Sequence, residues 1–126
     1  MIIVLIVILA LALIVGLYIT FPLIKICGNS MYPTLKDGEF HIGFRPFCKK
    51  KLIIGAFYVY HPPYEDGRYV IKRLVSLYHV GDKDYCYFLG DNPNESYDSS
   101  NYGYVSSDKI VARLILRKGG VKNNGV

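Results

Sequence analysis

Residues 2 to 24 run for 23 positions without a charge, and 20 of them are apolar, the exceptions being Gly16, Thr20 and Pro22. A helix of that length rises about 34 Å, enough to cross a hydrocarbon core of about 30 Å. A cleaved signal peptide carries a basic n-region, a shorter apolar core and a polar cleavage region. Here Met1 runs straight into Ile2, and the small-x-small pattern Ala10-Leu11-Ala12 lies inside the apolar run. Residues 1–24 are therefore expected to be an uncleaved single-pass anchor. Lys25 follows the run directly and only the α-amino group precedes it. The positive-inside tendency thus favours a cytoplasmic C-terminal side, which a following domain can override.

The rest of the 126-residue chain suffices for one small domain, expected over 25–118. That excludes a multispanning transporter and a multidomain enzyme. No Gly-rich phosphate loop is present, which argues against a dinucleotide-binding fold. The formal charge of +5 falls wholly in this part. Its basic residues are scattered, and the one dense run, Lys49-Lys50-Lys51, falls in a predicted loop. This pattern reads as a solvated face, and no nucleic-acid partner is expected. Cys27, Cys48 and Cys86 fit no metal-binding spacing. A Cys48–Cys86 bridge is open in an oxidising compartment, with three separate thiols the preferred reading.

Turn signals recur at Lys36-Asp37-Gly38, Pro62-Pro63, Glu65-Asp66-Gly67, Gly81-Asp82 and Gly90-Asp91-Asn92-Pro93. Runs rich in Tyr, Val, Ile and Phe between them predict strands near 39–45, 56–61, 68–78, 84–89 and 109–117. No segment has a convincing amphipathic helical period. The expected fold is mainly β, a small domain of coiled or barrel-like sheet behind one transmembrane helix, with a frayed tail over 119–126.

Three stretches carry chemistry-bearing residues. Ser30 lies between Gly28-Asn29, which tolerates unusual backbone angles, and Pro33, which stiffens the chain. A nucleophilic Ser needs such a stiff turn with amides facing a developing oxyanion. On a strand, Lys72 shares a face with Val70 and Leu74. Desolvation there lowers the pKa of a lysine and can make it a general base. Residues 90–103 are dense in small polar side chains but lack the spacing of an EF-hand loop. Taken singly, each stretch also reads as an ordinary loop serine, an edge-strand lysine and a solvated loop.

In this order behind a membrane span, the stretches closely resemble the type I signal peptidases, membrane-anchored serine proteases with a Ser–Lys dyad. Ser30-Met31-Tyr32-Pro33-Thr34-Leu35 is similar to the family's nucleophile box. Ile54-Gly55-Ala56-Phe57-Tyr58-Val59-Tyr60-His61-Pro62 resembles its next strand, with Ala56 where an Asp is usual, and Val70-Ile71-Lys72-Arg73 its general-base box. Gly90-Asp91-Asn92, Ser96, Asp98, Ser99 and Gly103 fit its last box. The resemblance implies that Ser30 is the nucleophile, Lys72 its base, and Ser96 a hydrogen-bond partner that orients the Lys72 amine. It implies that Asp91 and Asp98 shape the last box, that the Ser30 amide donates to the oxyanion, and that Ile26, Met31, Leu35, Val70 and Ile71 line the substrate pocket. Ile26, Met31 and Tyr32 are also expected to rest near the headgroups. The implied partners are preproteins with N-terminal signal peptides, cleaved after Ala-x-Ala-like residues, and the lipid bilayer. No metal or organic cofactor is implied.

The chain departs from the family at two further positions. Gly28 stands where some members carry an oxyanion-donating Ser, and Ser100 replaces an Arg that usually pairs with the Asp at position 98. Lys72 rather than His points to the bacterial and organellar branch. The implied location is the cell membrane with the domain on the extracytoplasmic side, or an organellar inner membrane. Only 16 residues separate Arg73 from Gly90, too few for the second domain that some members insert. Two competing readings are a self-cleaving Ser–Lys repressor-like protease, against which the membrane span argues, and an inactive membrane-tethered peptide-binding module.

Overall fold

A computed structural model describes residues 1–64 and 67–115. The expected tail at 119–126, the end of the 25–118 domain, and Glu65 and Asp66 of the third predicted turn lie outside the described residues. The first element is the helix α1 (Ile2–Thr20), none of whose side chains is buried. Its 19 residues rise about 28 Å, so it is long and apolar enough to span a membrane. The helix is shorter than the expected 2–24. Pro22 has no N–H to continue it and pushes Phe21 out of the helical region, where φ is −121°.

Leu23 and Ile24, expected inside the anchor, instead begin the first strand, β1 (Leu23–Lys25). Six strands follow: β2 (Phe40–Phe44), β3 (Phe57–Tyr60), β4 (Val70–Val80), β5 (Lys83–Leu89), β6 (Val105–Ser106) and β7 (Ile110–Ile115). All pairings are antiparallel, in the order β1-β2-β7-β3-β4-β5-β6, and the sheet curls into a half barrel. Irregularities at Val59/Tyr60 and between Leu74 and Ser76 supply local bends of the kind that curl a sheet. The fold is mainly β, as the sequence predicts, and the five predicted strands overlap β2, β3, β4, β5 and β7. Reading the sequence misses β1, hidden in the apolar run, and β6, only two residues long. A four-residue helix, α2 (Ser99–Tyr102), lies between β5 and β6.

The strand β3 is buried along its whole length. Tyr58 and Tyr60 enter one core with Leu74, Cys86, Phe88, Val105 and Ile110. Phe57 enters a second with Ile26, Met31, Leu35 and Leu114. Side chains alternate across a strand, so one central strand serves both cores. Ile26 and Met31 are buried here rather than resting on headgroups, whereas Tyr32 is exposed. The cross-strand row Leu23–Ile42–Ile115 is an exposed apolar feature of the sheet. Cys48 and Cys86 share a core but form no bridge, and Cys27 is also a free thiol.

The helix exit is fastened to the sheet. The Gly43 N–H donates to the Pro22 carbonyl at 2.8 Å and the Arg45 N–H to the Thr20 carbonyl at 3.1 Å. A Cβ at position 43 would lie 2.6 Å from Ile24 Cδ1 and 3.2 Å from Pro22 Cγ, so glycine permits this close approach.

Phe88 has no exposed surface and stacks on Tyr60 with ring centroids 4.1 Å apart. Phe88→Ala should destabilise the domain by about 3–5 kcal/mol, the usual cost of deleting a buried ring. Lys50→Ala, on the surface, should stay within about 0.5 kcal/mol. Urea unfolding of the detergent-solubilised full chain, followed by near-ultraviolet circular dichroism, measures both.

Candidate active site

The turn carrying Ser30 follows β1 and is held from three sides. Gly28, at φ +87°, adopts a left-handed conformation natural to glycine, and its N–H donates to Asp37 Oδ1 at 2.8 Å. Behind Ser30, the Asn92 N–H donates to the Ser30 carbonyl at 2.9 Å and Asn92 Nδ2 to the Asn29 carbonyl at 3.0 Å. Ahead of it, Thr34 Oγ1 donates to Asp91 Oδ2 at 2.5 Å. The Ser30 N–H meets no acceptor among the described residues, which leaves it available to a ligand oxygen.

Lys72 comes from β4, with Val70 and Leu74 on the same face, as the alternation predicts. Its side chain is only 4% exposed, and Nζ donates to Ser30 Oγ at 2.7 Å. Burial withdraws the ammonium from water and lowers its pKa from 10.5 to about 8, while the negative charge of Asp98 acts in the opposite sense. With the amine neutral the contact reverses, and the Ser30 hydroxyl can donate to the Nζ lone pair.

Two carboxylates brace this pair. Asp91 receives Arg73 Nε at 2.8 Å and Nη2 at 2.7 Å, a two-pronged ion pair, besides the Thr34 hydroxyl. Burial raises the Asp91 pKa, but the Arg73 and Thr34 hydrogen bonds outweigh it and hold the carboxyl below the usual range. Arg73 also caps the Phe57 ring at 4.3 Å and donates to the Gly55 carbonyl at 3.0 Å. Asp91 therefore ties the Ser30 turn to the strand that carries Lys72.

Asp98 caps α2 and accepts from the Gly90 N–H at 2.9 Å, Ser96 Oγ at 2.6 Å, the Ser100 N–H at 3.0 Å and Ser100 Oγ at 2.7 Å. Burial raises its pKa, but these hydrogen bonds, Ser100 first, bring it below the usual range. Ser100 thus gives Asp98 two donors, its amide and its hydroxyl. Ser96 lies in the site but donates to Asp98, and not to Lys72 as expected. Its influence on the amine runs through the carboxylate.

The Ser30–Lys72 pair opens on a cleft of about 370 Å³. Ile26, Met31, Val70 and Ile71 line it as expected. Leu35 does not; it is 1% exposed and packs in the core with Phe57 and Leu114. Cleft residues that the sequence reading missed include Tyr64, Arg68, Tyr69, Glu95 and Tyr97. Tyr64 and Tyr97 meet edge to face at 5.0 Å, a convergence of two loops that strand periodicity cannot reveal. No histidine lines the cleft among the described residues. Comparison with protein-family models and with curated proteins returned no match to this chain.

Gly90 is where the chain after β5 passes behind the Ser30 turn. A Cβ there would sit 2.6 Å from the Ser30 carbonyl oxygen and equally close to Ser96 Cβ. Gly90→Ala should cost about 1–3 kcal/mol in unfolding free energy through overpacking. By displacing the turn it should also admit water to Lys72 and move its pKa back toward 10.5. Denaturant titration and NMR of labelled lysine read the two effects.

Proposed function

We propose that the chain is a membrane-anchored Ser–Lys endopeptidase of the signal-peptidase type, removing signal peptides from translocated preproteins. The observation that carries this reading is the buried Lys72 amine, its proton affinity lowered to about 8, in hydrogen-bond contact with Ser30 Oγ. A lysine so placed has little purpose in a packed core, where an apolar side chain would fill the site without losing hydration.

In the proposed reaction, neutral Lys72 takes the Ser30 hydroxyl proton as Oγ attacks the carbonyl carbon of the scissile bond. The carbonyl oxygen becomes an oxyanion and accepts from the Ser30 N–H. Collapse breaks the C–N bond, and Lys72 passes its proton to the leaving amine. Water then attacks the Ser30 ester with Lys72 again as base, releasing the acid and restoring Ser30. The apolar cleft walls of Ile26, Met31, Val70 and Ile71 suit small side chains before the scissile bond, and Ala-x-Ala-like substrates are the proposed class. The helix α1 supports membrane attachment. The proposed arrangement puts the domain on the extracytoplasmic side of the cell membrane, a topology that protease accessibility in sealed vesicles tests.

The reading is tested with a fluorogenic peptide containing Ala-x-Ala. Ser30→Ala, Lys72→Ala and the double variant should be equally inactive, because groups acting as one unit lose activity non-additively. Lys72→Arg should be inactive too, since guanidinium does not deprotonate in this range. A Lys72→Ala enzyme retaining about a tenth of the parent rate would exclude the dyad.

The protonated amine is not a base, so kcat/KM should fall about tenfold per pH unit below the Lys72 pKa. It should level off above about pH 8, where the amine is neutral. A stopped-flow or steady-state pH series checks the inflection, and one near 6.5 would assign the base to a histidine instead.

A further inference from the structure

The run Lys49-Lys50-Lys51 plays no part in the site. It belongs to an exposed loop between β2 and β3, and the start of that loop is fixed beside the membrane helix, because the Arg45 N–H donates to the carbonyl of Thr20, the last residue of α1. The middle of the loop is pinned from within. Cys48 is buried, and its thiol donates to the Val111 carbonyl at 3.6 Å. The Lys50 and Lys51 N–H groups both close on the Phe47 carbonyl, at 3.1 and 2.9 Å.

This held turn presents Phe47 to the outside. The ring is 67% exposed, and its φ of +59° makes it the one non-glycine residue in the left-handed region among the described residues. That conformation is costly for a bulky side chain. Around it Arg45, Lys49, Lys50 and Lys51 are all exposed, and none has a carboxylate partner among the described residues. Neither core packing nor ion pairing explains an outward aromatic ring within four cations. A bilayer surface explains both features, because aromatic rings settle at headgroup level and clustered cations are drawn to anionic lipid.

We propose that this loop is a second membrane contact, in which Phe47 enters the headgroup region and Arg45, Lys49, Lys50 and Lys51 bind the phosphates of anionic phospholipids. One weak contact is reversible by itself, but the helix beside it keeps the loop at the surface. Two contacts on opposite sides of the Phe21-Pro22 link also restrict how the domain tilts on its helix. The inference rests on α1 lying in a bilayer and is independent of the peptidase reading.

The chain contains no tryptophan, so Phe47→Trp introduces a single indole reporter. The full-length variant is reconstituted into phosphatidylcholine vesicles and into vesicles of phosphatidylcholine mixed with phosphatidylglycerol. Retention after an alkaline carbonate wash establishes in both that α1 is inserted. Blue-shifted emission, quenched by lipids brominated near the headgroup, is expected in the anionic vesicles alone. High salt should reverse it, and the combined changes Lys49→Gln, Lys50→Gln and Lys51→Gln should abolish it. The unaltered chain gives an independent reading: trypsin should cut at Lys49–Lys51 more slowly in anionic than in neutral vesicles. Water-like, unquenched emission in inserted anionic samples, quenching equal in both lipids and insensitive to salt, or equal tryptic rates would overturn the proposal.

Discussion

The burial of one amine organises the site. Lys72 stands on the inner face of β4 between Val70 and Leu74, and withdrawal from water disfavours its charge. An isolated buried lysine would be a liability. Here its Nζ has Ser30 Oγ within 2.7 Å, and the Asp98 carboxylate keeps its pKa from falling further. The balance leaves the amine near neutrality at moderately alkaline pH, which is the state that base chemistry requires.

That balance depends on geometry held by groups that carry out no chemistry. Asp91 joins Thr34, just beyond the Ser30 turn, to Arg73, next to Lys72 on the strand. Asp98 gathers the Gly90 amide, Ser96 and Ser100 and caps α2 with the same carboxylate. Charge-assisted hydrogen bonds of this kind are short and directional, so they fix orientation as well as contribute energy. Ser100 supplies two of the donors that hold the loop. Its hydroxyl and amide both reach Asp98 Oδ1, and the capping box with Asn101 completes the turn.

The helix end of the molecule follows from similar economy. The helix ends at Thr20, whose carbonyl already accepts from Arg45, and two residues later the Pro22 carbonyl accepts from Gly43. The domain therefore begins at the helix exit with hardly any linker. From Thr20 to Ser30 the chain has ten residues, an extended reach of at most about 33–36 Å, and β1 uses part of that length in pairing with β2. The cleft and the loop around Phe47 both belong to a body attached directly to the apolar helix.

Much of this was legible in the residues alone, for local physical reasons. The uncharged run declared an apolar helix, alternation placed Lys72 among apolar neighbours, and glycine-rich turns separated five of the seven strands. That Ser30, Asp91, Ser96 and Asp98 share one neighbourhood was implied by the family resemblance and not by any local rule. Tertiary structure decided what depends on partners distant in sequence. It placed Leu23 in the sheet opposite Ile42, beyond the helix that Pro22 ends. Packing drew Leu35 into the core beside Phe57 and Leu114, and the Ser96 hydroxyl turned to Asp98 rather than Lys72. It also converged Tyr64 and Tyr97 on the cleft and set Phe47 outward beside the helix exit. A sequence specifies periodicity, charge and turn chemistry residue by residue. Which hydroxyl meets which amine or carboxylate across 42 or 57 positions depends on sheet register and curl, and these exist only once the strands have paired.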